Sequence, residues 1–343
     1  MKVTRKQQKI VLRTLDGWRQ EGVIDEAEQQ RLQQHLSPQL FDWQRLSRYA
    51  FWIALACAII AIGSLVADEY LMALLFDFGY ATRAIILALI ASACYFWGFR
   101  RQKHTPEKRY SNEAIMFLGV LFTALTLSQV GMALDNGSGN VAPLFLLGCA
   151  IYAAIGYLSR SGLIWLFFLL SLGSYFGTST GYASGWGAYW LGMNYPIRFV
   201  LFGGVLLAAC YLLQKPLQQR NLFNTSKAMG LLYLFIALWI LSIFGNYDFD
   251  IWQSVRQIEL LHWSLLFALA ALACIWISLK TDDGMLRGFG LTFLGINLYT
   301  RYFELFWDGT NKVIFFLLLA ISLALVGRYA ERIWRVGEAG KSH

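Results

Sequence analysis

Ionisable side chains are scarce in this chain: charged residues fill 15% of its 343 positions, where a soluble domain carries about a quarter. Cysteine and histidine are sparse too. Cys57, Cys94, Cys149, Cys210 and Cys274 each stand alone in a different apolar stretch, none in a Cys-x-x-Cys, so they read as small packing residues rather than a disulfide or redox framework. Four scattered histidines give no zinc spacing, and no metal or other cofactor is expected. His-Glu-x-x-His, Gly-x-Ser-x-Gly and Walker sequences are all missing, and Glu259-x-x-His262 has no second such pair to complete a dinuclear site. Nothing in the sequence supports catalysis.

Apolar residues are what it has: 57% of the chain is hydrophobic and 16% aromatic, with a mean hydropathy of +0.48. They gather into runs of about 20 residues, the length that crosses a bilayer. In hydrocarbon every backbone N–H and C=O must find its partner inside the segment, so such runs must be helices. Ten are expected, over 49–67, 84–99, 113–133, 142–158, 162–180, 195–213, 228–246, 260–279, 288–306 and 312–329. The fold class is all-α, a polytopic membrane bundle over 49–330 in contact with the lipid bilayer, followed by a tail at 331–343. With the N-terminus inside, all but five of the 29 Lys and Arg (Arg83, Arg198, Arg256, Arg301 and Lys312) fall on the inner side. That is the positive-inside rule, and it makes both termini and the tail cytoplasmic. The formal charge of +8 is therefore a topological signal, and nucleic acid is not an expected partner. Trp186, Tyr189, Trp190, Trp252 and Trp307 gather at the outer boundary, as aromatic anchors do.

Residues 1–48 are of different composition, with nine Lys or Arg and six Asp or Glu. Val11, Leu15 and Trp18 recur at helical spacing in a first helix over 3–20, which Glu21-Gly22 breaks. Asp25 with Glu28 reads as the capping box of a second helix. Ser37-Pro38 reads as its end and as the start of a third, running through Trp43 and Arg48 into the first span. The module is expected to be a small cytoplasmic helical hairpin on the membrane surface. Its sharper reading is a docking site for a cytoplasmic protein or for self-association.

Two patterns lie inside the spans. Gly173, Gly177, Gly181 and Gly185 recur every four residues, a ridge without side chains that invites close helix packing, with Gly203 and Gly204 as its partner surface. Asn297, Arg301, Glu304 and Asp308 share one helical face, with Arg301 and Glu304 three apart. Ionisable groups at membrane depth are costly and mark candidate sites. The candidate binding residues are thus Asn297, Arg301 and Glu304, with His262 or Arg198 expected nearby. Asp282-Asp283 reads as a solvated turn.

The N-terminal Trp-Arg-Gln-Glu-Gly-Val-Ile-Asp-Glu-Ala-Glu (18–28) and the late Asn-Leu-Tyr-Thr-Arg-Tyr-Phe-Glu-Leu-Phe-Trp-Asp (297–308) together bracket nearly the whole chain. In this pairing the chain resembles domain-of-unknown-function family 2157, a bacterial family of multi-pass membrane proteins. The resemblance implies the bacterial inner membrane and carries no site residues. Two functions fit the residues: a secondary carrier of a small solute or lipid, its polar site in the outer half, or a non-transporting scaffold or envelope-assembly factor that recruits a partner through residues 1–48.

Overall fold

The computed structural model describes residues 2–34, 37–39, 79–107, 109–135, 137–307 and 309–335, with isolated positions between 49 and 64. Apart from those positions, the expected span 49–67 lies outside the described residues. So do Trp43, Arg48, Asp308 and the tail beyond Arg335. The chain divides into two compact units, Met1–Gly119 and Val120–His343.

In the first unit, α1 (Arg5–Gln20) and α2 (Glu26–Gln34) flank a turn in which Gly22 takes a φ of +72°, a region that favours glycine. The capping box forms at the start of α2: the Glu28 backbone N–H donates to Asp25 Oδ1 at 2.6 Å, and the Asp25 N–H donates to Glu28 Oε2 at 3.3 Å. Gln29 donates to Asp16 at 2.7 Å, and Arg19 pairs with Glu26 at 3.2 Å. Leu15 is buried, but Trp18, expected on the same packed face, is 45% exposed. Ser37-Pro38 is not helical, and the expected third helix beyond Gln39 lies outside the described residues. Ser37–Gln39 is a strand, β2, parallel to β1 (Lys2–Thr4), with Val3 opposite Pro38. Proline forces its predecessor toward extended backbone, which favours pairing over re-capping. The first helix accordingly starts at Arg5 and not at Val3. Next, α3 (Tyr80–His104) runs antiparallel to α4 (Arg109–Ala133), with Met116 seated on Gly98 and Tyr95 on Gly119.

The division between units falls inside α4. The second unit is built from three antiparallel pairs. These are α5 (Ala142–Ser159) with α6 (Gly162–Ala183), α7 (Tyr195–Leu212) with α9 (Phe223–Phe244), and α11 (Leu261–Thr281) with α12 (Gly284–Phe306). Short helices α8 (Gln214–Gln219) and α10 (Phe249–Trp252) lie in the connections, and α13 (Lys312–Arg335) follows. The axis is α9, which packs on α6, α7, α11 and α12. Its Phe235 is fully buried and stacks on Phe293 of α12 with ring centroids 4.9 Å apart.

Lipid is as apolar as these side chains, so helix contacts inside a membrane depend on close packing and hydrogen bonds rather than on expulsion of water. Close packing centres on glycine. A Cβ on Gly203 would lie 2.5 Å from the Leu234 backbone nitrogen, and one on Gly290 2.8 Å from the Ala271 carbonyl oxygen. The glycine ridge of α6 works differently from expectation: Gly173 receives the ring of Tyr233, Gly177 that of Phe199, and Gly181 those of Tyr195 and Trp186. It is a floor for aromatic rings, not a seam against another backbone. Gly185 lies past the helix in a turn, at φ +62°. Gly203 packs on α9 and not on the α6 ridge, and Gly204 meets nothing within 4 Å.

Seven helices among the described residues are long and apolar enough to cross a membrane: α3 to α7, α9, and the stretch Gln257–Thr281. The ten expected spans are thus not all matched. The helix α12 carries Arg287, Arg301 and Glu304, and the apolar run of α13 is Lys312–Ala324.

Gly203 and Gly204 make a matched test. Gly203→Ala should lower the melting temperature in detergent, by the equivalent of about 1–3 kcal/mol, because helix backbone cannot give way as a side chain can. Gly204→Ala should melt with the parent or slightly above it.

Candidate functional site

A helix ends with carbonyls that have no partner inside it. The carboxyl end of α9 is met by groups from several other elements. Ser242 O accepts from Arg301 Nη2 of α12 at 2.8 Å, and Ile243 O from the Trp252 indole of α10 at 2.8 Å. Gly245 O accepts from Asn194 Nδ2 at 2.6 Å, and Asn246 O from the Tyr189 hydroxyl at 3.3 Å. The Gly245 N–H closes on Leu241 O at 2.8 Å. Asn194 also caps α7, its Oδ1 accepting from the Ile197 N–H. Its own N–H donates to Asn246 Oδ1 at 3.0 Å.

The shared face of α12 fans out to three neighbours. Asn297 is buried against α11, accepting from the Ser264 hydroxyl at 2.7 Å and donating to the Ser264 carbonyl at 2.9 Å. Arg301 turns to α9 and forms an ion pair with Glu304, 2.5 Å from Nη2 to Oε2. Glu304 reaches a groove of about 680 Å³ between α9 and α12. Trp239 and Ile243 wall one side of this groove, and Leu291, Ile296, Phe303 and Glu304 the other. The Trp239 indole bridges it, donating to Thr300 Oγ1 at 3.0 Å. Arg301 and Asn297 do not line it.

Two expected members stand elsewhere. Arg198 is 1% exposed and committed to the α6–α7 connection: Nε donates to Met193 O and Nη2 to Ala188 O, both at 2.9 Å, and the guanidinium lies 4.3 Å from the centre of the Tyr195 ring. It folds that connection instead of facing Arg301. His262 is exposed beside Trp263. Both sit near the same ends of their spans as Arg301, but span position does not fix azimuth around a helix.

A second charged cluster, at the opposite end of α9, was not expected. Lys227 is buried and pairs with Asp283 at 2.5 Å, while Arg287 meets Asp282 at 3.2 Å. Asp283 is no solvated turn residue. It caps α12, with Oδ1 accepting from the N–H groups of Met285 and Leu286. In the sequence Lys227 lies one residue outside the expected span 228–246 and Asp283 five before the span 288–306. The helices begin earlier than the apolar runs do, and that is what brings both charges into the bundle. Among the described residues, no three His, Cys, Asp or Glu side chains converge as metal ligands.

Burial alone would raise the Asp283 pKa. The hydrogen bond and charge of Lys227, with the Leu286 and Met285 N–H groups, outweigh it and hold the carboxyl below its ordinary 3.8. A depressed carboxyl pKa contributes stability that is full above the unfolded value and is lost as pH falls through the folded one. Melting of the parent should therefore fall as pH drops below about 4. Asp283→Asn should lose roughly 3 kcal/mol near neutrality, leaving Lys227 unpaired, and show a flatter acid limb. A variant that melts like the parent across that range would contradict the pairing.

No family model, curated protein or solved structure matches this chain.

Proposed function

We propose that this chain is a bacterial inner-membrane protein that holds a lipid-like ligand in the groove between α9 and α12 and carries it across part of the bilayer. One observation supports this above others: a carboxylate sits at the end of an otherwise apolar, aromatic-walled groove on a multi-pass helical protein. A polar head at Glu304 and a chain along Leu291 and Ile296 is the simplest occupant of such a surface. In this reading α12, α13 and the run 49–67 complete ten spans. Both termini lie in the cytoplasm, as the basic residues imply. Membership of domain-of-unknown-function family 2157 is part of the same proposal and rests on the two end segments. Among Asn297, Arg301, Glu304, His262 and Arg198, the substrate role narrows to Glu304, with Arg301 as its positioning partner.

The scaffold reading keeps one observation of its own. Trp18 and Leu32 on the N-terminal helices and Val23 in the turn between them are exposed, a surface suited to a protein partner or a second copy.

Gly295 separates the two. It lines the groove, and a Cβ there meets nothing within 4 Å, so Gly295→Leu extends a side chain into the groove from an unobstructed start. The purified parent should retain lipid measurable by mass spectrometry, and Gly295→Leu should lose it while melting as the parent does. Equal retention by both proteins contradicts the groove reading and favours the scaffold.

A further inference from the structure

Resting on the reading that the groove holds a lipid, we propose that the ligand is a lipid with an amine head, whose ammonium is taken by Glu304. The charge presented to the groove decides its sign. Glu304 lines it, whereas Arg301 is turned to the Ser242 carbonyl and to Glu304 itself. The member of the ion pair that lines the groove is therefore the carboxylate, with its cation set back from the wall. Arg301 engages Oε2, and Oε1 has no partner among the described contacts. A carboxylate accepts several hydrogen bonds, so Glu304 can keep Arg301 and take an ammonium as well.

Two further features favour a cation. Ile243 belongs to the last turn of α9, where a helix carries partial negative charge. Trp239, Tyr299 and Phe303 bring three aromatic rings to the same groove, and aromatic faces attract ammonium groups. A head bearing only negative charge would meet Glu304 with no basic side chain lining the groove to receive it.

The length of the wall argues for a lipid over a free amine. Leu291 to Glu304 spans about 20 Å of helix. That exceeds the roughly 15 Å of one leaflet's hydrocarbon and suits an acyl chain lying beside α12 with its head at the Glu304 end. A small amine would leave most of the apolar wall uncovered.

The test uses the full chain in detergent, native mass spectrometry, and two probes with identical chains and phosphate. One is phosphatidylethanolamine; the other is its N-acetyl derivative, which has lost the ammonium. The parent should bind phosphatidylethanolamine at least tenfold more tightly, and millimolar free ethanolamine should not displace it. Glu304→Gln should bind both lipids alike, since the apolar wall is intact, and Gly295→Leu should bind neither. Equal binding of the two lipids by the parent overturns the amine assignment while leaving the groove standing. Displacement by ethanolamine overturns the lipid as its source. Failure of the parent to bind either lipid removes the groove reading and this inference together. If Glu304→Gln does not fold, the parent's discrimination between the two probes still decides.

Discussion

The structure depends first on how the carboxyl end of α9 satisfies its carbonyls. Ser242 and Gly245 are buried, and a backbone group that is out of reach of water and unpaired costs several kcal/mol. A soluble helix leaves such groups to solvent. Here Arg301 from α12, Trp252 from α10, and Asn194 and Tyr189 from the α6–α7 connection donate to them. Each of those segments is thereby fixed to the axis of the unit. The cations near this end are therefore structural before they are anything else, since Arg301 and Arg198 both spend donors on main-chain carbonyls.

That commitment shapes what is left for function. With Arg301 drawn to Ser242, the charge remaining at the groove is a carboxylate, held in place by the same arginine. The opposite end of α9 repeats the logic in another form. There Lys227 is held by Asp283, which also supplies the cap of α12, so one residue both starts a helix and compensates a buried charge. Between the two ends the axis is fixed by packing, through the close approach of Gly203 to Leu234 and the stacking of Phe235 on Phe293.

Much of the helical frame was legible because the bilayer imposes a length. The run 142–158 appears as Ala142–Ser159 and the run 195–213 as Tyr195–Leu212. Local chemistry at Asp25 and Glu28 was equally readable, since both partners of a capping box lie within one turn. Periodicity put Asn297, Arg301 and Glu304 on one face, but it could not say that Ser264, Ser242 and the groove would receive them in turn. The glycine ridge misled for a related reason. Sequence shows that side chains are absent and not what fills the space, and here the filling is aromatic rings. The Lys227–Asp283 pair joins residues from separate helical pairs, which no local pattern reports.

Thermal unfolding in detergent of Arg301→Ala, Glu304→Ala and the double variant tests the central claim most directly. Arg301 serves both the Ser242 carbonyl and the Glu304 carboxylate, so its loss leaves two buried acceptors unpaired. Arg301→Ala should be the most damaging of the three, at roughly 3–5 kcal/mol, and the double variant should recover part of that loss by removing the stranded carboxylate. If Arg301→Ala melts with the parent, the carboxyl end of α9 does not depend on Arg301, and the account built on it fails.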